Sequence, residues 1–261
     1  MKVNEFFNLK FSPFSNNVES MYESKDYIET KNRIDYFLDE EGLALISGSS
    51  GLGKSQSVLS SINTNRYKVV YIQNTDLSLF EFFNCLGRKL EVSTTHCHMP
   101  LILADIQKQL SSYYKSGKKA VIIIDDVESL NSKIIEALKY LSYSSIYEYK
   151  ANIILIGHTS FRARCKRESF KNIESSILTN YEFTGLSLNE TKEYIRHRLN
   201  IAGGDENLID DKYYNPIYTY TNGNPTNINR YMFNLLLFLF NSKTKEINNK
   251  VLRQIQDEVE I

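Results

Sequence analysis

The residues best equipped for chemistry lie in Ile46-Ser47-Gly48-Ser49-Ser50-Gly51-Leu52-Gly53-Lys54-Ser55, which reads Gly-x-x-x-x-Gly-Lys-Ser behind the apolar stretch Leu43 to Ile46. Glycines let a loop wrap closely, so that successive backbone N–H groups face inward and cradle an anion. A helix beginning near Lys54 adds the positive end of its dipole to the same point. Lys54 can then reach β- and γ-phosphates, and the Ser55 hydroxyl can ligate Mg²⁺. A second group closes the run Ala120-Val121-Ile122-Ile123-Ile124-Asp125-Asp126. The β-branched succession Val121 to Ile124 fits a strand buried on both faces of a parallel sheet. Acids at the carboxyl end of such a strand stand where an open α/β sheet places its site. Asp125 is the candidate to hold Mg²⁺ through water, and Asp126 the candidate to polarise an attacking water. That second role usually falls to Glu, and the shorter Asp bears on how fast hydrolysis runs.

The elements that must position these groups alternate in type. A helix is predicted over Tyr27 to Leu38, with Ile28, Ile34 and Leu38 buried. The loop strand and its helix precede a second strand, Lys68 to Ile72, with Gln73 at its end as a further nucleotide-binding candidate. Helices are expected over Leu77 to Leu90 (Ser78 a possible start), Leu101 to Tyr114 and Ser132 to Tyr143. A fourth strand, Asn152 to Gly157, ends in His158-Thr159, either of which can sense a phosphate; a lone His there can equally be a structural hydrogen-bonder. Arg162, Arg164, Lys166, Arg167 and Lys171 form a basic cluster that fits a solvated helix face, an arginine-finger source or a phosphate-backbone contact. Tyr181 to Phe183 closes the sheet. From Leu186 the periodicity is helical: Ser187 to Glu190 reads as a cap, Asn222 to Pro225 as a turn, and Asn227 to Phe240 and Lys245 to Val259 as helices.

Composition sets bounds on function. The 261 residues suffice for one large domain or two smaller ones, and Lys+Arg and Asp+Glu both number 31, so no global field advertises nucleic acid. The three cysteines are odd in number and widely spaced, which argues against a disulfide framework and for a reducing cytoplasm. His96-Cys97-His98 lacks a second ligand pair at metal spacing and reads as a solvated loop. Met1 to Ser20 has no apolar core of a signal peptide, and Met232 to Phe240 is too short to span a bilayer, so no membrane role is expected.

The order of elements resembles an AAA+ ATPase, and more narrowly the ExeA-type branch, which is similar to the transposition regulators TnsC and MuB. The resemblance rests on Phe7-x-Leu9-x-x-x-Pro13-Phe14, the two Walker motifs, Leu186-Ser187-x-x-Glu190-Thr191-x-x-Tyr194-Ile195-x-x-Arg198-Leu199-x-x-Ala202-Gly203-Gly204, and Gly223-x-Pro225-x-x-Ile228-Asn229. It implies a P-loop α/β fold: a three-layer αβα core with a five-stranded parallel sheet over residues 1–185, then a small helical lid over 186–261. It also implies ATP and Mg²⁺ as ligands, bound between core and lid with Phe14 of the N-terminal strap near the adenine. Gly48 to Ser55, Gln73, Pro225, Thr226 and Arg230 line that implied site. Head-to-tail assembly into rings or filaments follows, as does ATP-dependent loading on duplex DNA for a transposase; the alternative is an assembly ATPase of secretion or defence acting on protein partners. Two departures stand out. The family's sensor arginine in the Gly-x-Pro-Arg turn is Thr226 here, with Arg230 a helical turn later, and a family arginine before the last strand is Ser176. A slow ATPase used as a switch is therefore expected.

Overall fold

A computed structural model of the chain describes residues 2–15, 20–40, 42–73, 76–92, 98–143, 149, 151–165 and 174–259. It opens with a short helix, α1 (Val3–Phe6), and a longer one, α2 (Lys25–Asp39). Strand β1 (Leu43–Ser47) leads into α3 (Lys54–Ser61), and β2 (Tyr67–Ile72) into α4 (Leu79–Lys89) and α5 (Met99–Lys115). Next come β3 (Lys119–Ile124), α6 (Ser132–Tyr143), β4 (Asn152–Gly157), α7 (Thr159–Cys165) and β5 (Ile177–Glu182). Helices α8 (Leu188–Ile201), α9 (Tyr214–Thr221), α10 (Pro225–Asn241) and α11 (Asn249–Glu258) follow. The fold is a three-layer αβα core with a helical C-terminal part.

Two compact units result. One comprises Glu29–Ser50 and Lys54–Phe183; the other comprises Met1–Ile28, Gly51–Gly53 and Thr184–Ile261.

In the first unit the five strands are all parallel, in the order β2-β3-β4-β1-β5. Strand residues alternate between faces. Leu43, Leu45, Ile122, Ile124, Ile153 and Leu155 share one buried cluster with Phe82 and Phe83 of α4, Ile106 of α5 and Leu138 of α6. Their neighbours Ala44, Ile46, Val121, Ile123, Ile154 and Ile156 are equally buried, as a sheet covered on both faces requires. β5 is longer than the short strand predicted, and its residues alternate between half-buried and exposed over their first four positions, because it is the sheet edge. On α2 the buried stripe is Tyr27, Thr30, Ile34, Phe37 and Leu38; Ile28, predicted inside, is 46% exposed because it lies one position off that stripe.

The second unit has its own core, built from Ile195, Leu199, Ile217, Tyr231, Leu235 and Ile255 together with Phe7, Leu9 and Phe14 of the N-terminal arm. The arm is fixed on the last turn of α8: Lys10 N donates to Ala202 O at 2.8 Å, and Arg198 Nη2 donates to Ser15 O at 2.6 Å. Gly204 makes room for it, since a Cβ there would come within 2.5 Å of Leu9 Cδ2. Cys85 and Cys165 are free thiols, and Cys97, His96 and the cluster residues Lys166, Arg167 and Lys171 lie outside the described residues. Among the described residues no group of three or more His, Cys, Asp or Glu is arranged to hold a metal ion, and no helix is long and apolar enough to cross a membrane.

Candidate functional site

Parallel pairing aligns the carboxyl ends of the strands. Ser47 of β1 is opposite Gly157 of β4, and Ile124 of β3 is opposite Leu155. Because β4 lies between β1 and β3, His158 emerges between the loop that follows β1 and the acids that follow β3. Gly48, Asp125 and His158 thus leave one edge of the sheet.

The loop begins at Gly48 with φ +147°, where a Cβ would come within 2.9 Å of Phe183 Cβ. Lys54 opens α3, and its ammonium donates to Gly48 O at 2.9 Å and Ser49 O at 2.8 Å, holding the loop curled round its own lysine. Ser50 is exposed on the same loop. Burial pushes the Lys54 ammonium below its usual range, and the acids Asp125, Glu128 and Asp126 oppose that shift, in that order of strength.

Ser55 and Asp125 meet directly: the Ser55 hydroxyl donates to Asp125 Oδ2. Tyr71 Oη donates to the same oxygen at 2.6 Å, and Asp126 N donates to Asp125 Oδ1 at 3.0 Å. An adjacent hydroxyl and carboxylate form the hard oxygen pair that Mg²⁺ takes when phosphates and water complete its shell. The donor set fits that ion. Burial, then the bond to Asp125, raise the Tyr71 phenol far above its ordinary range, so it remains a proton donor across neutral pH. Asp126 is exposed and takes a left-handed conformation, φ 54°, at the start of a 3₁₀ turn, Val127–Ser129. Gln73 is exposed just past β2.

His158 is exposed, and its backbone N–H donates to Glu128 Oε1. Two residues of the basic cluster are engaged inside this unit. Arg162 Nη1 pairs with Glu182 at 2.5 Å, and Arg164 donates to Glu128 O at 2.8 Å and Leu130 O at 2.6 Å. Ser176 is buried.

The other candidates belong to the second unit, together with Gly51, Leu52 and Gly53 at the loop tip. Thr226 Oγ1 donates to Gly51 O at 3.0 Å, and Thr226 N approaches the same oxygen at 3.3 Å. A Cβ on Gly51, whose φ is +81°, would come within 2.7 Å of Asn224 Oδ1, which is why glycine is needed there. Asn224 caps α10 and Pro225 is its first residue. Phe14 is buried in the helical core, and Arg230 is exposed on α10 one turn after Thr226.

Tyr71 and Glu128 were not singled out in the sequence. Tyr71 sits at an interior strand position, and Glu128 lies two residues past the paired acids, a spacing that matches no motif.

Residues 38–165, just under half of the chain, match the family model of the AAA domain. The chain is 24% identical over 233 residues to general secretion pathway protein A of Aeromonas hydrophila, an alignment covering 86% of this chain and 42% of that protein's length. The ORC2 protein of Aeropyrum pernix, solved as ADPNP-ADP complexes, shares the fold with TM-score 0.72 at 13% identity, covering 94% of this chain and 70% of that one. The ORC1 protein of Aeropyrum pernix in complex with DNA does so with TM-score 0.66 at 11% identity, covering 94% and 68%. Fold and domain match agree: residues 38–165 resemble an AAA domain, and the chain shares its three-layer αβα fold with these structures.

Proposed function

We propose that this chain is an ATP-dependent switch that hydrolyses its nucleotide slowly. Gly48 to Ser55 receive the phosphates, Lys54 reaches the β- and γ-phosphates, and Ser55 and Asp125 hold Mg²⁺. Asp126 and His158 stand at the same edge, with Gln73, Phe14, Pro225, Thr226 and Arg230 as further nucleotide contacts. In functional terms residues 1–185 are the nucleotide-binding part and 186–261 the lid. The observation that carries the reading is the direct bond from the Ser55 hydroxyl to the Asp125 carboxylate at the carboxyl edge of a parallel sheet. Slow turnover is supported by Thr226 and Ser176 at positions where the resembling family has arginines, since an arginine finger is worth about 10³ to 10⁵ in rate.

In the ATP-bound state the protein assembles with copies of itself, as a ring or filament, on duplex DNA and regulates target selection by a transposase. Support comes from the lid sequence that resembles TnsC and MuB, and from a shared fold with a protein solved in complex with DNA. The engagement of Arg162 and Arg164 within the core shifts the expected DNA contact to the exposed lysines Lys243, Lys245 and Lys250. A second reading, an assembly ATPase acting on protein partners without DNA, is favoured by the relation to general secretion pathway protein A. Filter binding of random duplex DNA at low salt, with and without a non-hydrolysable ATP analogue, decides between them. Nucleotide-dependent retention is expected; its absence hands the account to the protein-partner reading.

A further inference from the structure

Glu128 stands at the edge where Asp125 and His158 emerge, fixed there by the His158 N–H, and the sequence motifs leave it without a role. We infer that Glu128, rather than Asp126, is the carboxylate that takes the proton of the attacking water in ATP hydrolysis; this rests on the nucleotide reading above and adds a catalytic residue to it. Glu128 Oε1 accepts the backbone N–H of His158, so the carboxylate stands at the end of the strand flanked by the loop strand on one side and the Asp125 strand on the other. The site is shaped for it. Gly157 has no side chain, and a Cβ there would lie 2.9 Å from Glu128 Oε1 and 2.6 Å from Val127 Cγ2. The turn that carries Glu128 is clamped from below, because Arg164 binds the carbonyls of Glu128 and Leu130. Asp126, by contrast, is exposed on a left-handed residue with one methylene less of reach.

In the step assigned to it, the water oxygen bonds to the γ-phosphorus while the bond from that phosphorus to the bridging oxygen breaks. The bridging electron pair leaves with ADP, the water proton passes to the Glu128 carboxylate, and it is then released to solvent. One carboxylate oxygen is engaged by the His158 N–H, and the second is the proton acceptor.

The competing account is purely structural: the carboxylate caps the turn into α7 through the His158 N–H. Glu128→Gln separates the two, because its amide oxygen still accepts that N–H but takes no proton. Phosphate release, binding of a fluorescent ATP analogue and thermal melting are measured for wild type, Glu128→Gln and Asp126→Asn, with Lys54→Ala as the background. Glu128→Gln is expected to melt with the wild type, to bind nucleotide as well, and to lose about 10²-fold in turnover, the lower end of general-base contributions. Asp126→Asn is expected to lose less. Undiminished turnover in Glu128→Gln, or a larger loss in Asp126→Asn, overturns the inference. Wild type that binds the analogue but releases no phosphate above background overturns it too and leaves the binding reading standing, whereas wild type that binds no analogue removes both.

Discussion

Asp125 is held by the Ser55 hydroxyl, the Tyr71 hydroxyl and the Asp126 N–H. Of the two hydroxyl partners only Ser55 was legible in the sequence, because it belongs to a contiguous motif whose every residue has a chemical reason. Tyr71 comes from a strand at the far end of the sheet order from β1, and no local pattern reveals which strand residue will face an acid 54 positions on. Tyr71→Phe tests the geometry at this scale. Loss of one donor to a carboxylate at a half-buried site is expected to cost about 1–2 kcal/mol, read as a lower urea midpoint with unchanged slope. The variant is also expected to need more Mg²⁺ for half-maximal nucleotide binding, since the carboxylate loses a fixed orientation. Gly157→Ala is expected to be worse: its Cβ collides with Val127 and Glu128, and overpacking of that kind costs about 1–3 kcal/mol.

Helix caps and strand ends were the most readable elements, since Ser, Glu and Pro act there through short-range bonds. Ser78 with Glu81, and Ser187 with Glu190, each form a reciprocal capping box. For α7 a helix face was one of three readings of its arginines, and α9 has no helical signature in the sequence. α9 is Tyr-Asn-Pro-Ile-Tyr-Thr-Tyr-Thr, poor in intrinsic helix formers, and it is helical because Tyr214, Ile217 and Thr221 are buried on one face. Glu190 gives a pH test at this scale. Partial burial works against its charge, yet the N–H groups of Lys25 and Ser187 and the Ser187 hydroxyl outweigh it and hold the carboxyl below its ordinary 4.5. A carboxyl depressed in the folded state stabilises above its unfolded pKa and loses that contribution as pH falls through the folded value. Glu190→Gln is therefore expected to lower stability by about 1 kcal/mol at neutral pH. The difference from wild type should shrink on acidification below 4.5, as urea titrations at both pH values would report. A gap that does not change with pH would assign the effect to packing.

For the whole molecule, the sequence announced a basic segment at Arg162 to Lys171, and the structure turns its two described arginines inward. Charge alone could not distinguish a clamp on backbone carbonyls from a phosphate contact, because both call for the same guanidinium. Arg164→Ala is expected to destabilise the core by about 2 kcal/mol, from two lost charged hydrogen bonds, while DNA retention by the folded fraction is kept. Lys243→Glu with Lys250→Glu is expected to do the reverse, weakening DNA retention and flattening its salt dependence with little change in melting. The central claim is that nucleotide, taken by the loop around Lys54, drives assembly on DNA. Light scattering after size exclusion, with ATP-Mg²⁺, with and without a short duplex, and beside Lys54→Ala, tests it most directly. The expected result is a large species that requires ATP, DNA and Lys54 together. An ATP-induced assembly indifferent to DNA, or a monomer under every condition, would contradict it.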